Sequence, residues 1–191
     1  MRIVSTGVFP SVLILTAEQH EDSRGFLSEV WHEEGFKRAG IKERFVQDNH
    51  VLSRAVGTLR GMHFQVGKNG QAKLIRCVRG RIFDVAVDIR RGSPTFGRHV
   101  AVDLSAKNWR QVYVPVGFAH GYCTLEPDTE VIYKVSAYYD PAAERGISWD
   151  DPTVGIEWPV SSETIVLSER DKTFKHLAEL PNYFTFGEND D

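Results

Sequence analysis

The sequence predicts an all-β fold, a sandwich or barrel of the jelly-roll kind, with short helices mainly near the C-terminus. Short runs rich in Val, Ile, Leu and aromatic residues are divided throughout by Gly, Pro, Asn and Asp. The clearest run, FDVAVDI, alternates Phe83, Val85, Val87 and Ile89 with Asp84, Ala86 and Asp88. This is the period-two pattern of a strand with one wet face. Helical signal is sparse, and many short strands with few helices close into jelly rolls or barrels.

Taken in order, the predicted strands are SVLILT, GFLSEVW, FVQDNHVLS, GTLRGMHFQ, AKLIRCV, RIFDVAVDI, RHVAVDLS, RQVYVPV, AHGYCTLE and EVIYKVSAYY. VRGR is a hairpin turn between two of them, and RGSPTFG is a longer Gly/Pro loop. HEEGFKRAG (32–40) predicts a turn or two of helix closed by Gly40, and SERDKTFKHLAEL (168–180) predicts a helix capped by Ser168 and stopped before Pro181. No repeat, low-complexity segment or linker divides the chain, so 1–191 reads as a single domain with a C-terminal helix and tail from 168.

The 191 residues carry a formal net charge of -3, which excludes a general basic field for nucleic acid. Recognition of an anion then falls to a few placed Arg and Lys side chains. VFPSVLILTA (8–17) is broken by Pro10 and followed by EQHEDSRG, which suits a strand better than a targeting segment. No apolar stretch is long enough to span a membrane. The two cysteines, Cys77 and Cys123, each lie inside an apolar run, imply no disulfide framework and suit a reducing cytoplasm.

Two segments carry chemistry together. GTLRGMHFQ (57–65) contains Gly, five residues, then His-x-Gln, and VPVGFAHGY (114–122) contains Pro-x-Gly-x-x-His. Paired in an all-β chain they resemble the two motifs of the cupin superfamily. Metal-binding cupins have His-x-His and a nearby Glu in the first motif; here Gln65 replaces the second His and no Glu follows. His63 and His120 alone are too few ligands for a tight transition-metal site, so no metal is expected. A neutral His and Gln on an inward strand face suit proton transfer and hydrogen bonding to a sugar.

DSRGFLSEVW, QDNHVLS, LRGMHFQ, AKLIRCVRGRIFDVAVDIRRGSPTFG, VPVGFAHGY, YKVSAYYDPAAERGISWDDP, IEWP and LSERD, in this order, resemble the dTDP-4-dehydrorhamnose 3,5-epimerase family. The resemblance implies a cupin barrel, a homodimer sharing strands, no cofactor, and a dTDP-linked 4-keto-6-deoxy-hexose as substrate. It implies inversion of C3, C5 or both. Such inversion needs a base on one face of the carbon, an acid on the other, and a donor or cation near the ketone oxygen where enolate charge develops. By resemblance His63 is the base, Asp171 its partner, Lys73 the group at the enolate oxygen and Tyr133 the acid.

By resemblance also, Arg24 and Arg60 contact substrate, Glu29, Gln47 and Asn49 hydrogen-bond the nucleotide, and Phe26 stacks on the base. Tyr139, Glu144 and Arg170 are further contact positions, and His120 lines the pocket as a hydrogen-bonder. His20, His32, His50, His99 and His176 match no catalytic position. Plain alternation puts Arg60 on the face opposite His63, and only a bulge near Gly61 brings both to one site. The loop QVGKNGQAKL (65–74) departs from the Pro-rich family pattern, which leaves the sugar and regiochemistry open. The alternatives are a single-centre epimerase, a metal-dependent cupin such as a dioxygenase, and a non-catalytic sugar-binding cupin.

Overall fold

A computed structural model describes the backbone of residues 2–5 and the whole of residues 9–187. Its strands are β1 (Arg2–Ser5), β2 (Leu13–Thr16), β3 (His20–Asp22), β4 (Gly25–Leu27), β5 (Gln47–Ser53), β6 (Leu59–Gln65) and β7 (Lys73–Arg79) in the first half. The second half adds β8 (Arg81–Asp88), β9 (His99–Ser105), β10 (Arg110–Val114), β11 (Phe118–Thr124), β12 (Thr129–Val135) and β13 (Glu144–Gly146). They form a six-stranded sheet in the order β1-β2-β10-β7-β12-β5, a five-stranded sheet in the order β13-β6-β11-β8-β9, and a separate β3–β4 hairpin.

The first helix forms as predicted. Helix α1 (Glu33–Arg38) starts at His32, whose Nδ1 accepts the Gly35 N–H at 3.1 Å, and acidic residues in its first turn and basic ones in its last suit the helix dipole. Gly40 follows in the left-handed region at φ 92°. The VRGR turn also forms. Gly80 has φ 75°, and an added Cβ would fall 2.3 Å from the Thr129 hydroxyl oxygen, so backbone and neighbour both demand glycine.

The two large sheets face one another. Ile75 and Cys77 of β7, Val112 and Val114 of β10 and Val131 of β12 meet Ile82, Ala86, Val102, Leu104, Phe118 and Tyr122 of the opposing sheet in one buried cluster. Both outer faces are covered as well. Phe36 of α1 and Ile41 just after it pack on Leu15, Leu74 and Tyr113 of the six-stranded sheet. Ile147, Val154, Leu177 and Phe184 of the C-terminal segment cover Met62, Phe64, Val85, Val87 and Ala119 of the five-stranded sheet.

This layering corrects the expectation of a wet face on β8. Val85 and Val87 lie under the C-terminal segment, while Asp84 and Asp88 point between the sheets and are 1% and 0% exposed. Period two separates apolar from polar positions but does not say which side is enclosed. Asp88 survives burial because Arg90, Ser93 and Thr95 all donate to its carboxylate.

The helix predicted over 168–180 is absent. Two single 3-10 turns, Asp171–Thr173 and Leu177–Glu179, replace it, with Phe174 extended between them. Tertiary hydrogen bonds take over backbone groups that a helix would have used. The Leu177 N–H donates to Asp151 Oδ2 at 2.6 Å, and the Lys175 carbonyl accepts the Ser148 N–H at 2.9 Å. GFLSEVW forms strand only at Gly25–Leu27, EVIYKVSAYY stops at Val135, and β1, β3 and β13 are strands the sequence pattern did not mark.

Candidate active site

Between the two sheets lies a cavity of about 240 Å³ that receives side chains from both. His63 and Arg60 of β6 and His120 and Tyr122 of β11 enter from the five-stranded sheet; Lys73 of β7 and Tyr133 of β12 enter from the six-stranded one.

Arg60 and His63 reach the same cavity because β6 is bulged. His63 pairs with His120, but Arg60 pairs with Tyr122, so three steps along β6 oppose two along β11. The bulge requires close contact between strands. A Cβ on Gly61, which has φ 146°, would fall 2.4 Å from the Gly121 Cα, and a Cβ on Gly121 would fall 2.9 Å from the Arg60 carbonyl oxygen.

His63 is held from behind. Its Nε2 lies 2.8 Å from Asp171 Oδ1, and the edge of Phe174 packs on its ring with centroids 5.5 Å apart. The 3-10 turn that starts at Asp171 and the extended Phe174 after it, which replace the predicted helix, deliver both residues. Burial would raise the Asp171 pKa, but hydrogen bonds from His63, the Ser168 side chain and the Gly61 backbone outweigh it and hold the carboxyl below its ordinary range. An ionised carboxylate only accepts, so the imidazole proton sits on Nε2 and Nδ1 is left as the basic nitrogen.

A second buried pair lies beside the first. His120 Nε2 is 2.9 Å from Asp84 Oδ2, and both side chains are almost fully enclosed. Burial dominates the nearby Asp84 charge and pushes the His120 pKa below its ordinary value, so the ring is neutral at neutral pH. The Lys73 ammonium donates to the His63 carbonyl at 3.3 Å. Burial pushes its pKa down to about 8, against the pull of the Asp84 and Glu144 carboxylates. Burial also raises the Tyr133 phenol, so it stays protonated.

Tyr139, Glu144 and Arg170 form a cluster at the rim. The Tyr139 hydroxyl donates to Glu144 Oε2 at 2.7 Å, and Arg170 is ion-paired with Glu144. Arg60 donates from Nε to Ser53 Oγ at 3.0 Å. Gln47 and Asn49 share the inward face of β5 with the cavity-lining Val51; Gln47 donates to Asn49 Oδ1 at 2.9 Å and accepts the Tyr139 N–H.

Gln47 and Asn49 stop short of the cavity lining, and three further predicted contacts lie away from it. Arg24, Phe26 and Glu29 lie on or just after the β3–β4 hairpin, which among the described residues pairs with no other strand. Arg24 is paired with Asp22, and Phe26, 59% exposed, rests edge-on against Trp109. Gln65 also departs from its expected use, since its amide is spent on loops. Its Nε2 donates to the Asn69 and Tyr138 carbonyls and its Oε1 accepts the Asp140 N–H.

Asp84, Gln71 and Tyr122 are polar residues at the site that the sequence reading did not single out. Asp84 has a signal, a carboxylate recurring on one strand face, but alternation alone assigns that face to solvent. A larger groove of about 810 Å³ near Lys42, Tyr113 and Phe184 contains none of the predicted residues. Among the described residues, no group of three or more His, Cys, Asp or Glu side chains is placed to hold a metal ion, and no helix is long and apolar enough to cross a membrane. The Nε2 atoms of His63 and His120 are each committed to a carboxylate.

The family model described as dTDP-4-dehydrorhamnose 3,5-epimerase matches residues 7–179. The chain belongs to the dTDP-4-dehydrorhamnose 3,5-epimerase family. These epimerases are isomerases acting on carbohydrates. The dTDP-4-dehydrorhamnose 3,5-epimerase of Salmonella typhimurium is 51% identical over 162 residues, covering 84% of this chain and 88% of that protein. The dTDP-4-dehydrorhamnose 3-epimerase of Streptomyces niveus is 40% identical, covering 97% and 91%. A solved epimerase structure from Legionella pneumophila, in complex with dTDP-4-keto-L-rhamnose, superposes with a TM-score of 0.92 at 38% identity and covers 97% of this chain and 98% of that one. Family membership accords with the barrel geometry, and with epimerase chemistry in place of the metal-dependent or purely sugar-binding alternatives.

Proposed function

We propose that this chain inverts C3, C5 or both of a dTDP-4-keto-6-deoxy-hexose, through proton removal by His63 and proton return by Tyr133. The observation that carries this reading is the Asp171–His63 pair at 2.8 Å, with His63 on one sheet and Tyr133 entering the same cavity from the opposing sheet. A base and an acid on opposite walls can serve opposite faces of one carbon. The free Nδ1 of His63 takes the proton next to the ketone. Asp171 stabilises the imidazolium that forms and keeps the ring oriented.

Charge then moves to the ketone oxygen, where the Lys73 ammonium stabilises it, with the neutral His120 beside it as a hydrogen-bonding partner. Tyr133, protonated and facing the cavity, returns a proton from the other side. No step in this scheme requires a metal or other cofactor. Arg60 and Arg170 are the cations available to a diphosphate. Tyr139, Glu144, Gln47 and Asn49 extend from the rim and would contact sugar and nucleotide.

The exposed hairpin bearing Arg24, Phe26 and Glu29 fits a homodimer in which these residues serve the partner's cavity. Light scattering at micromolar concentration tests this, and a fully active monomer would refute it. The reaction is tested by incubating the protein in heavy water with dTDP-4-keto-6-deoxyglucose and reading each carbon by NMR. Deuterium should enter at C3, at C5 or at both, with inversion at the exchanged centre; the pattern separates the double from the single epimerases among the relatives. Binding without exchange at either carbon would overturn the reading.

A further inference from the structure

Tyr122 lies two residues beyond His120 on β11, so both side chains share the inward face. It is 4% exposed, its ring belongs to the buried cluster between the sheets, and it borders the cavity. In the register its neighbours are Arg60 on one side and Asp84 on the other. Its hydroxyl oxygen is buried yet has no hydrogen-bond partner among the described residues. His63, Lys73 and His120 in the same cavity are each hydrogen-bonded, to Asp171, to the His63 carbonyl and to Asp84, while the Tyr133 phenol is the group assigned to proton return.

A buried phenol ordinarily finds a partner, and leaving it unpaired costs stability. Phenylalanine would fill almost the same space without that cost. A hydroxyl kept unpaired at the floor of a binding cavity points to a partner that arrives with the ligand. Burial raises the phenol above its ordinary pKa, so it meets that partner as a neutral donor.

We propose that Tyr122 is a specificity-determining residue whose hydroxyl donates a hydrogen bond to an oxygen of the hexose ring held against His63. This rests on the reading of the cavity as the keto-hexose site. The ring that presents a carbon to His63 must sit among the groups surrounding His63, and Tyr122 is a donor there that is neither hydrogen-bonded among the described residues nor used in the proton transfers. The hydroxyl is enclosed, so the exposed Arg60 side chain beside it must move aside for the sugar to reach it. A site built to bond a sugar oxygen rejects the analogue that lacks it, because its own polar group is then left unpaired.

The test is Tyr122→Phe, compared with wild type by three measurements. The melting temperature of the ligand-free variant should stay level or rise by about 2–4 °C, because the lost hydroxyl had no partner to lose. Its kcat/KM for dTDP-4-keto-6-deoxyglucose should fall roughly tenfold. Its affinity for dTDP alone should match wild type, since the hydroxyl meets the hexose and not the nucleotide. A lower melting temperature would reveal a structural partner and overturn the inference, as would an unchanged kcat/KM or a parallel loss of dTDP binding. If wild type itself neither exchanges nor inverts the sugar, the reading of the cavity fails and this inference with it. If wild type is active and Tyr122→Phe equals it, only this inference fails.

Discussion

Replacing Asp171 with Asn keeps the shape behind His63 and removes the charge. Asp171 is 3% exposed and lies 2.8 Å from His63 Nε2, so the bond is charge-assisted and shielded from water. Such bonds contribute about 1.5–3 kcal/mol. If the proposed step forms an imidazolium, losing that stabilisation slows it by roughly 10–150-fold. A second effect adds to this. The Asn amide can turn its NH2 towards Nε2, which shifts the ring proton to Nδ1 and removes the base. Together the loss should reach about 10²–10⁴-fold, the range for general base catalysis. Single-turnover exchange of substrate C–H for deuterium, followed by NMR, measures the step directly.

Stability supplies an independent check with a definite sign. The folded pKa of Asp171 lies below its ordinary value of 3.8. Its contribution is therefore present above that value and is lost as pH falls through the lowered folded value. Melting temperatures of wild type and Asp171→Asn should differ at pH 7 and converge as the pH falls below 3.8. An exchange rate within threefold of wild type, in a folded variant, would refute the assignment of His63 and Asp171 as a working pair.

Tyr133→Phe should retain exchange in heavy water, by proton return from His63 on the same face, yet give little inverted product; NMR showing inversion at the wild-type rate at every exchanging centre would exclude Tyr133 as the acid. Since burial pushes the Lys73 pKa down to about 8, kcat/KM should decline as pH rises through that value and the ammonium is lost. Lys73→Arg, if active, should move this alkaline limb upward because guanidinium stays charged, and a pH–rate profile decides it. Arg60→Ala should weaken dTDP binding by about 1.5–3 kcal/mol, read by calorimetry, and an unchanged affinity would show that its guanidinium does not meet the phosphates. Gly61→Ala should destabilise the protein by several kcal/mol in chemical denaturation, since its Cβ would fall 2.4 Å from the Gly121 Cα; full stability would mean that β6 and β11 separate cheaply.

The family, the barrel and most strands were legible in the chain itself. Turn residues at short intervals and period-two patterning are local properties, and the phrases around His63, Lys73, His120 and Asp171 are written continuously along the sequence. Three features were decided only in the folded molecule. Alternation in FDVAVDI distinguishes two faces, but Asp84 became an interior partner of His120 because the opposing sheet closes over it and the C-terminal segment covers the valine face. Segment 168–180 has a helix's cap and stop, yet bonds to Asp151 and Ser148 hold it as two separate 3-10 turns, with Asp171 behind His63. Arg60 joins His63 through one extra residue in β6, accommodated by glycines sixty positions apart, Gly61 and Gly121. Each of these depends on atoms distant in sequence, and local propensity, worth tenths of a kcal/mol per residue, yields to a buried hydrogen bond or a strand contact worth one or more.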